Sequence, residues 1–116
     1  MMRRREIRLV NLDPVIGSEA ANTRPGVVVS NDGANTTAAR LGRGVVTVVP
    51  VTSNIDRIYP VQVLLPAEET GLAVDSKAQA EQVRSVAVER VGRVVGTLGF
   101  DLMDQLDGAL RLHLDL

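Results

Sequence analysis

Two short segments carry side chains whose types and spacing suit chemistry on a phosphate. Arg24-Pro25 closes a polar stretch and opens a β-branched run; Pro25 fixes the backbone there and leaves Arg24 at a strand entrance. Val51-Thr52-Ser53-Asn54 puts two hydroxyls and an amide at the exit of a strongly apolar strand. In a small barrel, two such strand ends can lie side by side. A guanidinium offers a permanent charge and a fork of donors that matches phosphate oxygens, and hydroxyls add further donors. An Arg–carboxylate pair and a Thr in a turn would use the same residues, so spacing alone leaves both readings open.

Other chemistries find little support. The chain has no Cys, which removes disulfides, thiolate catalysis and Cys-rich zinc sites, and the single His113 removes any mechanism needing two imidazoles. Glu68 and Glu69 are adjacent and would point opposite ways in an extended segment, as in a solvated turn. Gly42-Arg43-Gly44 precedes a strand rather than a helix, so it reads as a turn and not a phosphate loop. Asn35-Thr36-Thr37 fits a glycosylation sequon only by accident in a chain without a secretory signal. No metal ligand set and no cofactor site is expected.

The elements that must hold Arg24 and Thr52 can be read from composition and pattern. At 116 residues, 45% hydrophobic and 23% charged, the chain has the size and balance of one domain spanning 1–116. Tyr59 and Phe100 are its only aromatics, so the core falls to Val, Leu, Ile and Ala. The net charge of −1 conceals a +3 first half (residues 1–57) and a −4 second half, a polarity compatible with a polyanionic ligand. No apolar run approaches the ~20 residues of a membrane span. The Met-Met-Arg-Arg-Arg start lacks an apolar continuation, so a cytoplasmic protein with no membrane contact is expected.

Strands are predicted over 6–12, 25–30, 44–51, 61–65 and 90–95, with a long loop over 13–24 and turns at Asn31-Asp32-Gly33 and 66–71. Gly44 to Val51 is apolar almost throughout and predicts a strand buried on both faces. Ala34 to Arg40 can form a helical turn. Asp75 to Val88 mixes helix-favouring Ala, Gln and Lys with strand-favouring Val83 and Val86, leaving its state open. Leu102, Met103, Leu106, Ala109, Leu110 and Leu114 recur at helical spacing, with Thr97 as the predicted N-cap. The sum is a small, mainly antiparallel barrel with a C-terminal helix.

At these residues the sequence resembles the MazF/PemK family of toxin endoribonucleases. The resemblance is carried by RREIRLVNLDP (Arg4 to Pro14), Gly17-Ser18-Glu19, RPGVVVSND (Arg24 to Asp32) and VPVTSN (Val49 to Asn54). It continues through GLAVDSKAQAEQVR (Gly71 to Arg84) and Leu106 to Leu116. It implies an SH3-like barrel, a homodimer and metal-independent cleavage of single-stranded RNA at short preferred sequences. The products implied are a 2′,3′-cyclic phosphate and a 5′-hydroxyl, and the implied inhibitor is a cognate MazE-like antitoxin.

Carried over residue by residue, the resemblance makes Arg24 and Thr52 the catalytic pair. It puts Ser18, Glu19, Ser53, Asn54, Glu81 and Gln82 near the RNA. The chemistry agrees with so sparse a site, because RNA brings its own nucleophile, the 2′-hydroxyl. Arg24 would stabilise charge on the phosphoryl oxygens. Thr52, a poor base near neutral pH, would orient and hydrogen-bond, and the general base stays unassigned. The chain departs from the family pattern at Arg5, where Gly is usual, at Arg8, where an aromatic is usual, and at Asn11, where Asp is common. Two other readings remain beside the nuclease: a gyrase-directed toxin of the CcdB type, and a homologue that binds RNA or antitoxin without cutting.

Overall fold

The computed structural model describes residues 2–14, 16–20 and 22–116, so Val15 and Ala21 of the expected 13–24 loop lie outside the described residues. Seven strands form one antiparallel sheet: β1 (Glu6–Asn11), β2 (Thr23–Val28), β3 (Val45–Thr52), β4 (Gln62–Leu65), β5 (Ser76–Gln79), β6 (Arg84–Ala87) and β7 (Val91–Thr97). The spatial order is β4-β5-β3-β2-β1-β7, with β6 also paired to β3. Three helices accompany it: α1 (Asp32–Leu41), the four-residue α2 (Ala67–Thr70) and α3 (Phe100–Leu114). This is the expected barrel with a C-terminal helix.

Val27 and Val28 of β2 enter different cores, because successive side chains on a strand point to opposite faces. One core joins Ile7, Val27, Val49, Val51 and Leu65 to Leu102, Met103 and Leu106 of α3. The other joins Val10, Val28, Val46, Val48 and Val86 to Ala38 of α1. Strand β3 therefore contributes to both, and its near-continuous run of Val is what a strand covered on both faces requires. β3 also changes partner on one edge, from β6 at Val45–Val48 to β5 at Val51–Thr52, and Pro50, which has no N–H to donate, falls at that switch.

Several local expectations give way to tertiary structure. Arg24 is the second residue of β2 rather than its entrance, because antiparallel pairing with β1 begins at Thr23 opposite Asn11. Asn31-Asp32-Gly33 is not a free turn but the start of the ten-residue α1; the Asn31 side chain accepts from the Ala34 N–H at 2.9 Å. The 66–71 turn contains α2, closed by Gly71 at φ 84°. The open 75–88 segment becomes β5 and β6, joined by a 3-10 turn at Ala80–Gln82, since β3 offers it an edge to pair with. Thr97 does not cap α3: it ends β7, and Gly99 occupies the cap position without a side-chain bond. Leu114, expected in the apolar stripe, is half-exposed in the last turn of α3.

Candidate active site

The site begins with register. β2 and β3 pair Gly26 with Pro50, Val27 with Val49 and Val28 with Val48. Continuing that antiparallel register by two residues sets Arg24 opposite Thr52. On the other side of β3, Thr52 is paired with Lys77 of β5. Cross-strand partners project to the same face, so Arg24, Thr52 and Lys77 form a row across three strands. Val51 and Ala78, their neighbours in sequence, point the other way into the core.

Arg24 and Thr52 line one cavity of about 370 Å³, together with Asn22, Ser53, Val74 and Ser76 among others. Both are half-buried. The Thr52 Oγ1 accepts from the Asn54 N–H at 3.2 Å, which leaves its own proton available for a further acceptor. Asn54 in turn accepts from the Asp56 N–H at 3.2 Å, so its side chain shapes the loop that leaves β3. Ser53 is exposed on the cavity wall.

Ser18, Glu19, Glu81 and Gln82 do not line this cavity, and each has a defined local task. The Gln82 amide donates to the Ser18 carbonyl at 3.1 Å and accepts from the Ala20 N–H at 3.1 Å, so it clasps the loop between β1 and β2. Glu19 accepts from the Ile16 N–H at 2.9 Å within that loop. Glu81 accepts from the Gln62 side chain at 2.7 Å, while its Oε1 is buried without a donor. Arg8, at the departure from the family's aromatic, is half-buried and bonds Glu6 at 3.0 Å and the Gly92 carbonyl at 3.0 Å.

Lys77 escaped the reading of the sequence because its segment had no assigned state; only the pairing of β5 with β3 reveals it. Its side chain is only 7% exposed, and the ammonium donates to the Arg57 carbonyl at 2.7 Å. The cavity itself is lined by the Arg24 guanidinium and the Thr52 hydroxyl, groups that suit a phosphodiester, while Lys77, though paired with Thr52, is not among its lining residues. Among the described residues, no group of three or more His, Cys, Asp or Glu side chains is placed to hold a metal ion. No helix among them is long and apolar enough to cross a membrane.

Residues 3–114 match the family described as PemK-like, MazF-like toxin of type II toxin-antitoxin system. The chain belongs to this toxin family. It is 66% identical to "Endoribonuclease MazF9" of Mycobacterium tuberculosis over 116 residues, covering all of this chain and 98% of that protein. It is 29% identical to "Endoribonuclease EndoA" of Bacillus subtilis, covering all of this chain and 97% of the other. Among solved structures, MazF from Deinococcus radiodurans superposes with a TM-score of 0.81 at 25% identity, over 99% of this chain and 97% of that one. A mycobacterial endoribonuclease solved in complex with its cognate antitoxin has the same fold, with a TM-score of 0.77 at 19% identity; the match covers all of this chain and 97% of that one. Within the PemK/MazF-like family, then, this member carries Arg24 and Thr52 side by side on a barrel of the family's architecture.

Proposed function

We propose that the endoribonuclease activity of this toxin resides in the Arg24–Thr52 cavity and acts on single-stranded RNA. The 2′-hydroxyl of a nucleotide attacks the adjacent phosphorus, the bond to the 5′-oxygen breaks, and the products are a 2′,3′-cyclic phosphate and a 5′-hydroxyl. The proton lost by the 2′-hydroxyl and the proton gained by the 5′-oxygen balance the step. Arg24 stabilises the charge that builds on the phosphoryl oxygens, and the Thr52 hydroxyl orients the phosphate by donating to it. Such a reaction needs neither a protein nucleophile nor a metal ion. Ser18, Glu19, Ser53, Asn54, Glu81 and Gln82 belong to the surroundings of the RNA: Ser53 on the cavity wall, Asn54 and Gln82 by shaping the two flanking loops.

The observation that supports this reading is that Arg24 and Thr52, on the paired strands β2 and β3, line one cavity. The test is incubation of the purified protein with a long single-stranded RNA in EDTA, with Arg24→Ala alongside and the fragment ends mapped. Discrete cuts ending in cyclic phosphates, lost in a folded Arg24→Ala, are expected. An equally active Arg24→Ala would overturn the site.

The same reading assigns the toxin a homodimeric state, a cytoplasmic place of action and a cognate MazE-like antitoxin as inhibitor. A disordered acidic and apolar tail would suit the Arg24 guanidinium and exposed apolar side chains such as Ile55, Ile58 and Leu64. Dimerisation fits a small chain with large apolar side chains left at its surface, among them Leu41, Val45 and Leu112.

A further inference from the structure

Both aromatic residues of the chain stand outside its two cores, and one of them adjoins the candidate active site. Tyr59 lies in the loop that leaves β3 after Thr52 and is 49% exposed. Its ring centre is 5.9 Å from the Lys77 ammonium and 5.7 Å from the Arg57 guanidinium carbon. Lys77 is the direct cross-strand partner of Thr52, and paired residues have Cα atoms about 4.5–5.5 Å apart. Across the sheet the next partner of Lys77 is Leu64 of β4, and the Tyr59 ring lies beside this row, over the Lys77 ammonium.

The ring is also held in place. The Lys77 ammonium bonds the Arg57 carbonyl at 2.7 Å, and the Tyr59 N–H donates to the Gln62 side chain at 3.1 Å. Gln62 is fixed in turn by Glu81 at 2.7 Å. A half-exposed aromatic held beside two cations offers a flat apolar surface on which a nucleobase can stack.

We propose that Tyr59 is a stacking platform for a base flanking the scissile phosphate, with the exposed Arg57 receiving the neighbouring phosphate, and that it helps set the sequence preference of cleavage. This rests on the assignment of the Arg24–Thr52 cavity as the place where RNA is cut. The step requires no new chemistry, only contact of a base with the exposed half of the ring.

The chain has one Tyr and no Trp, so its intrinsic emission reports on Tyr59 alone. The probe is a fluorescein-labelled 2′-O-methyl RNA decamer of randomised sequence, which has no 2′-hydroxyl to attack and so separates binding from cutting. Saturable quenching of tyrosine emission in step with decamer anisotropy is expected. Loss of about tenfold or more in affinity is expected in Tyr59→Ala, with near wild-type affinity in Tyr59→Phe. On cleavable RNA, Tyr59→Ala should shift the mapped cut sites while Tyr59→Phe keeps them. Absence of decamer binding, binding without any change in tyrosine emission, or an unaltered affinity and cut pattern in Tyr59→Ala, would overturn the platform. Quenching by the decamer with no cleavage of RNA by the wild type would instead overturn the catalytic reading and leave a base-binding surface.

Discussion

Arg5 has a backbone φ of 82°, in the left-handed region that glycine enters without penalty, and it occupies the position where the sequence departs from the family's usual Gly. The conformation is enforced from both sides, since the Arg5 N–H donates to the Val28 carbonyl at 2.9 Å and its carbonyl accepts from Leu98 at 2.9 Å. What the side chain returns is visible: it bonds the Leu98 carbonyl at 2.9 Å and lies 4.1 Å over the Phe100 ring. Arg5→Ala should lose those contacts and keep the strain, whereas Arg5→Gly should lose them and relax. The Gly variant is therefore expected to be the more stable of the two by about 1 kcal/mol in urea unfolding. Asp32 shows a second local linkage. The backbone N–H of Arg4, at 2.6 Å, is the largest cause holding its carboxyl below the ordinary value of 3.8, with Asn35 and the charges of Arg3 and Arg4 adding to it. A depressed folded value means stability that is present above pH 3.8 and lost as pH falls through the folded value. Asp32→Asn should thus melt below the wild type at neutral pH, with the gap closing in acid. At this scale Arg24 and Thr52 became candidates through the family resemblance, since spacing alone fitted an ion pair and a turn equally well, while the pairing of Thr52 with Lys77 leaves no mark in the sequence.

Strand β7 passes so close to α2 that only glycine fits at one point. A Cβ on Gly96 would stand 2.6 Å from the Thr70 carbonyl oxygen and 3.2 Å from Ile7. The obstacle is backbone, which cannot rotate away. Gly96→Ala is expected to cost about 1–3 kcal/mol, or to displace α2, and a thermal melt would show it; an unchanged midpoint would contradict the close approach. The elements themselves were unevenly readable. β3 declared itself through seven β-branched residues in eight, because burial on both faces removes the need for polar alternation. Residues 75–88 did not: their local preferences conflict, and the available edge of β3 decided the outcome. Thr97 shows the same limit in reverse, a good cap by type that the β1–β7 pairing retains in a strand.

At the scale of the molecule, one curved sheet separates two cores, with α3 against one and α1 against the other. Composition and the family resemblance indicated a small barrel with a C-terminal helix, but the order of its strands was not legible, since registers such as Thr52 with Lys77 leave no periodic trace. Self-association belongs to this scale. Sedimentation at micromolar concentration is expected to give twice the 12.4 kDa chain mass, and a monomer there would contradict the dimer.

β1 is hydrogen-bonded to β2 on one edge and to β7 on the other, and Arg4 reaches Asp107 of α3 at 2.5 Å. A ribosome makes β1 early and β7 with α3 late, so the nascent chain carries Arg24, Thr52 and Lys77 well before their barrel can close. The first strand waits with an open edge for the last one, as in any fold dominated by distant pairings. Translation itself thereby delays closure of the barrel around the Arg24–Thr52 cavity until the last strand has been made.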